Sequence, residues 1–216
     1  MSVERLEKIR RSLQRGYATH FEGPKDTPEE RFIVEKFIVQ ELLRSMKSRG
    51  EEQYFGPVRP PSLGDPPDCV VSDGDGKPVA VEVTEFVSEE AIKRNWRIKR
   101  DPQKTWRDSI YRRWEPNEVI EKIKRIIRKK DGKTFKGGPY AKKILLIFTD
   151  EDALISGRFE YKKLFSEQSF GPVDQIDEVY FLFSYVGEAH PYYHRDNPLY
   201  DAKFDQGYPY IKLSLK

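Results

Sequence analysis

Two carboxylates 14 residues apart, Asp68 and Glu82, are the side chains whose type and spacing best suit chemistry. They stand in the stretch PPDCVVSDGDGKPVAVEVTE, residues 66–85, with Asp68 at the head of one apolar run and Glu82 inside the next. Cys69, Val70 and Val71 form the first run and Val79 to Phe86 the second. Between them, Asp73-Gly74-Asp75-Gly76 supplies residues that tolerate positive φ, so the pattern predicts a β-hairpin. Alternation along its second strand puts Val79, Val81 and Val83 on one face and Glu82 with Thr84 on the other. A glutamate among valines in a central strand is costly to bury unpaired, and a metal cation is its simplest partner. The acidic turn lacks the further ligands of a calcium loop and is read as a turn.

Each of these residues also has a plainer reading. Taken singly, Asp68 caps a turn after proline and Glu82 is an ordinary polar residue on a solvated sheet face; taken together, they favour a site. Trp96, Trp106 and Trp114 lie among arginines and lysines and offer base stacking, yet aromatic stripes at helical spacing belong more often to a core. His190 and His194 in HPYYH have the spacing of helical zinc ligands, but their proline- and tyrosine-rich surroundings favour a structural or surface role.

The elements needed to position the two carboxylates are legible on either side. Val3, Leu6, Ile9 and Leu13 predict an amphipathic helix over 2–15. Thr27-Pro28-Glu29-Glu30 has the form of a capping box opening a second helix to about Ser48, with Glu35 near the edge of its apolar stripe. Gly50 and the prolines from Pro57 to Pro67 interrupt regular structure before the hairpin. Helical patterns then dominate from Ser88 to about Lys130. There Val119, Ile120, Ile123, Ile126 and Ile127 form a core stripe, and Lys122, Arg125 and Lys129 project from another face. Beyond a flexible Gly137-Gly138 link, Ile144–Phe148 and Val179–Phe183 read as buried strands, and Tyr210–Leu215 as a last edge strand. Buried strands separated by helices predict an α/β fold with a mixed central sheet flanked by helices.

Composition narrows the function classes. The 216 residues suffice for one domain, here expected to span 1–216 with a C-terminal extension over 186–216. The single cysteine, Cys69, excludes a disulfide framework within one chain and fits a reducing cytoplasm. No run of eighteen apolar residues occurs, so a membrane is not an expected partner. Net charge is only +3, but residues 91–143 hold 19 lysines and arginines against 6 acidic residues. Such polarisation points to an anionic partner, although a solvated helical hairpin gives similar counts.

These residues together resemble the PD-(D/E)XK, or restriction-endonuclease-like, nuclease superfamily, which carries Pro-Asp on one strand and Glu-x-Lys on the next. The resemblance covers about residues 29–150: a helix, the hairpin with Pro67-Asp68 and Glu82-Val83-Thr84, basic helices, and the strand at 144–148. That order is similar to the superfamily's α-β-β-β-α-β core. The resemblance implies a restriction-endonuclease-like core in which Asp68 and Glu82, with the Val83 carbonyl, ligate Mg²⁺ or Mn²⁺. It also implies that Asp68, Glu82 and Thr84 form the catalytic set, and that Glu35 matches a first-helix glutamate found in some members. Position 84 departs from the pattern, because threonine cannot supply the charge of the motif lysine. Some members supply that lysine from another element, and Lys93, Lys99 and Lys142 are the candidates in the basic segment.

The expected activity is metal-dependent phosphodiester hydrolysis of DNA, of restriction or repair type, with Lys99, Arg107, Lys122 and Arg125 contacting the nucleic acid and a homodimer among the expected assemblies. The alternative keeps the fold without catalysis, as a nucleic-acid-binding or protein-interaction module. A weaker third reading is an immunity or partner protein that uses the acidic remainder of the surface.

Overall fold

The computed structural model describes residues 27–63, 66–90, 93, 114–149, 151–184 and 208–216. The helix expected over 2–15, Trp96, Trp106, Lys99, Arg107, His190 and His194 lie outside the described residues. A 21-residue helix, α1 (Pro28–Ser48), begins directly after Thr27, where Pro28 suits a first turn whose N–H would have no partner. Gly50, at φ +80°, closes it in the left-handed region that glycine adopts without strain. Val34, Ile38, Val39, Leu42 and Met46 form its buried stripe.

Among the described residues, six strands follow in one sheet: β1 (Tyr54–Arg59), β2 (Cys69–Asp73), β3 (Pro78–Glu85), β4 (Lys142–Thr149), β5 (Glu178–Phe183) and β6 (Tyr210–Lys212). They lie side by side in chain order. β3, β4 and β5 run parallel and the other neighbours antiparallel, which makes this an α/β fold with a mixed sheet. Helix α2 (Pro116–Asp131) connects β3 to β4, and the short helices α3 (Asp152–Ser156) and α4 (Arg158–Ser166) connect β4 to β5.

Strand β1 was not expected from the sequence, because Gly56-Pro57 interrupts its pattern. Proline is tolerated there since β1 is an edge strand, and its pairing with β2 is irregular between Phe55 and Arg59. β6, in turn, is shorter than the edge strand expected over 210–215.

The sheet separates two apolar layers. On one face Val79, Val81 and Val83 pack with Cys69, Val71 and α1. On the other, Leu145, Ile147, Val179, Phe181 and Phe183 pack with Val119, Ile120, Ile123 and Ile127 of α2 and with Phe165 of α4. Parallel strands covered on both faces need apolar residues on both, which is why β4 and β5 read as unbroken hydrophobic runs.

Two buried glutamates lock opposite ends of the parallel strands. Beyond the C-terminal ends of β3 and β4, Glu151 accepts a hydrogen bond from the Ser88 N–H at 2.6 Å and another from the Trp114 indole N–H, which draws residues 26 positions apart onto one carboxylate. At the opposite end Glu178 accepts from the Tyr54 and Tyr180 hydroxyls, each at 2.7 Å, and from Lys142 at 2.8 Å and Lys212 at 3.0 Å. Burial alone would raise its pKa, but those hydrogen bonds outweigh burial and hold it at about 2. The same burial and contact push the Tyr54 hydroxyl up to about 12.

Because the Glu178 pKa is depressed, its stabilising contribution is present above the ordinary value of 4.5 and is lost as pH falls toward 2. Glu178→Gln should therefore be destabilising at neutral pH, with a deficit that narrows through this acid window. Urea denaturation of both proteins across that range measures it, and a constant deficit would contradict the assignment.

Candidate functional site

The hairpin that carries the two carboxylates is well determined by its turn. Asp73 Oδ1 accepts from the Asp75 and Lys77 backbone N–H groups at 3.0 and 2.8 Å, and Gly76 takes φ +77°. The resulting register sets Cys69 opposite Val81. Asp68 lies one residue before β2, half-buried, and its Oδ2 accepts from the Val83 N–H at 2.7 Å. That bond ties Asp68 to the backbone of the residue next to Glu82. By strand alternation, the half-buried Thr84 shares the Glu82 face of β3.

Glu82 is only 1% exposed. Its Oε1 accepts from Lys130 Nζ at 2.6 Å and Lys133 Nζ at 3.1 Å. Its Oε2 is buried with no hydrogen-bond partner. The surrounding backbone fixes where those lysines stand. Lys130 ends the buried side of α2, and the Lys133 N–H bonds back to the Lys130 carbonyl at 3.1 Å. Between them, Asp131 accepts three backbone N–H bonds, from Asp174, Gln175 and Ile176, at 2.7 to 3.0 Å. The Lys136 N–H then reaches the Pro66 carbonyl at 2.8 Å, which joins the loop after α2 to the segment leading into Asp68. Gly137, expected as a flexible link, is instead fitted: it takes φ +77°, and a Cβ there would fall 2.6 Å from Ser62 Oγ.

The remaining expected residues are dispersed. Lys122 does not project outward as its helical position implied. Its Nζ donates to the Val87 carbonyl at 2.6 Å and sits over the Phe86 and Trp114 rings, so it closes the core at that end. Arg125, Arg128 and Lys129 are exposed along α2. Lys142 belongs to the Glu178 network rather than to Glu82, while Lys93 is exposed. The Cys69 thiol is raised well above its ordinary pKa, mainly by burial and then by the charges of Glu35 and Asp68. Both carboxylates are therefore near it, whereas the thiol itself is unsuited to nucleophilic work. Among the described residues, no three His, Cys, Asp or Glu side chains form a metal cage. A magnesium ion held by one or two carboxylates, water and substrate phosphate does not need one.

Lys130 and Lys133 were missed in the sequence, though Lys130 left a signal. It lies seven residues after Ile123 and three after Ile127, on the buried side of α2, where a lysine needs an anionic partner on the facing sheet. Comparison with protein-family models, curated protein sequences and solved structures gives no match to the chain.

The stability consequences of this site are asymmetric. Glu82 is fixed in a strand and cannot reach water, whereas the lysine side chains are 16% and 36% exposed and can. Removing both ammonium groups, as Lys130→Met with Lys133→Met, should cost about 3 to 5 kcal/mol because it strands a buried charge. Glu82→Leu should cost clearly less. Urea unfolding free energies decide the order, and the reverse order would mean that Glu82 reaches solvent.

Proposed function

We propose that the chain is a metal-dependent phosphodiesterase acting on DNA, with a PD-(D/E)XK arrangement in which Asp68 and Glu82 bind Mg²⁺ or Mn²⁺. The observation that carries this reading is the buried Oε2 of Glu82, an anionic oxygen with no partner. A buried carboxylate oxygen without a protein partner calls for one from outside the chain, and a hard divalent cation is a partner that a pair of carboxylates can hold. The order α1, β1, β2, β3, α2, β4 supports the same reading, since it repeats the helix, three strands, helix and strand of that core.

A divalent cation bound by these carboxylates would polarise a phosphate and lower the pKa of an attacking water. The chain's own groups have separate tasks. Asp68 and Glu82 provide anionic oxygens, and the Asp68 bond to the Val83 N–H fixes the direction of its carboxylate. Thr84 offers a hydroxyl that can orient water without adding charge. Arg125, Arg128 and Lys129 offer exposed charge for backbone phosphates. A second reading, a binding module without catalysis, draws on Thr84 and on the two ammonium groups already neutralising Glu82.

Cleavage of linear and supercoiled DNA by the purified chain, with and without chelator, separates the two readings. Activity should require Mg²⁺ or Mn²⁺ and fall by about 100-fold or more in both Asp68→Ala and Glu82→Ala. Thr84→Ala should be milder. Activity that survives in the Asp68/Glu82 double variant would assign the chemistry elsewhere, and an absence of metal-dependent cleavage in the unaltered chain would favour the binding module.

DNA affinity should also weaken steeply as salt rises, because neutralising phosphates releases counterions. Arg125→Glu should reduce both affinity and the steepness of that dependence, with the salt slope falling by about 1 for each phosphate no longer neutralised. An unchanged slope would remove Arg125 from the interface.

A further inference from the structure

Two ammonium groups hold the oxygen that a divalent cation would share. Lys130 and Lys133 lie 2.6 and 3.1 Å from the same Oε1 of Glu82, while Oε2 accepts nothing. We infer that Lys130 and Lys133 are exchangeable counter-cations: they neutralise Glu82 until a divalent cation takes the carboxylate, and are then released to an anionic phosphate. This inference rests on the metal-dependent reading above and adds how its site is loaded.

The charge balance favours exchange. A carboxylate 1% exposed needs a counter-charge at all times, because an uncompensated buried ion is strongly destabilising. Two ammonium groups and one divalent cation carry equal charge, so one can replace the other without stranding Glu82. The lysine side chains also have a path outward, being 16% and 36% exposed. Their backbone does not have to move. Lys130 is within α2, and Asp131 is anchored to residues 174–176 through three hydrogen bonds, so rotation of the lysine side chains is enough.

Released ammonium groups would then supply the positive charge that Thr84 cannot. A phosphate that holds them away from Glu82 would in turn favour metal binding, because coupling between two ligands is reciprocal. Lys130, the closer and less exposed of the two, should dominate the competition.

The test is Mn²⁺ titration of the full chain, followed by electron paramagnetic resonance, for the unaltered protein, Lys130→Gln, Lys133→Gln and Lys130→Arg. Lys130→Gln should bind Mn²⁺ about tenfold more tightly while cleaving DNA more slowly, an effect within the usual range of coupling between sites. Lys133→Gln should show a smaller gain, and Lys130→Arg should stay near the unaltered protein. A purely structural ion pair predicts no gain in Mn²⁺ affinity. Melting temperatures establish which variants are folded, and if Lys130→Gln is not, the more exposed Lys133→Gln carries the test. Mn²⁺ affinity that is unchanged or weaker in the folded glutamine variants overturns the inference, as does a lack of Mn²⁺ binding by every protein. Tighter binding with no DNA cleavage by the unaltered chain upholds the exchange but removes the nuclease reading. Cleavage by the unaltered chain with Mn²⁺ affinity unmoved in both variants does the reverse.

Discussion

Glu82 is a charge that the fold cannot move. It lies in β3 between Val81 and Val83, which point into the opposite apolar layer, and Leu145 of β4 stands in register beside it. Backbone pairing on both sides prevents the strand from turning its carboxylate toward water. Compensation must therefore be brought to it, and in this fold it comes from the end of α2. The Asp131 anchor, the turn between Lys130 and Lys133 and the bond from Lys136 to Pro66 all hold that end in position. The last bond also joins the lysine loop to the segment that delivers Asp68, so both carboxylates depend on one local framework.

Comparison of three buried glutamates separates support from a candidate function. Glu178 receives hydrogen bonds at both carboxylate oxygens from two tyrosines and two lysines, and its pKa falls to about 2. Glu151 likewise uses one oxygen for the Ser88 N–H and the other for the Trp114 indole. Both act as cross-links whose hydrogen-bonding capacity is engaged at each oxygen. Glu82 is as deeply buried as Glu151, yet has two donors crowded on one oxygen and none on the other. All three are buried, so the difference lies in their partners rather than in their depth.

Much of this arrangement was legible in the sequence. The hairpin could be read because Asp73 to Gly76 forms a turn between two apolar runs, and alternation correctly divided Val81 and Val83 from Glu82. The continuous apolar character of β4 and β5 similarly reflects parallel strands covered on both sides. Other features depended on tertiary contacts. β1 was hidden because Gly56-Pro57 is acceptable only at a sheet edge, and edge position is a property of the assembled sheet. Lys122 was grouped with outward-facing cations, but its long side chain turns back over Phe86 and Trp114 to reach the Val87 carbonyl. Lys130 was overlooked because the polar face of α2 was read for partners, whereas this lysine continues the buried side.

A cation supplied from a helix differs mechanically from one supplied by position 84. A lysine at position 84 would share a strand with Glu82, and the pleat would fix their separation. Lys130 instead takes its position from the packing of α2 against the sheet, through Val119, Ile123 and Ile127, each fully buried. A small change in that packing would shift the ammonium group relative to Glu82 while leaving the hairpin intact. The electrostatics of the candidate site are thus coupled to the apolar layer beneath α2. Substitutions in that layer can alter the site well before they unfold the chain, because a charge-assisted contact at 2.6 Å is more sensitive to displacement than the broad apolar interface that positions it.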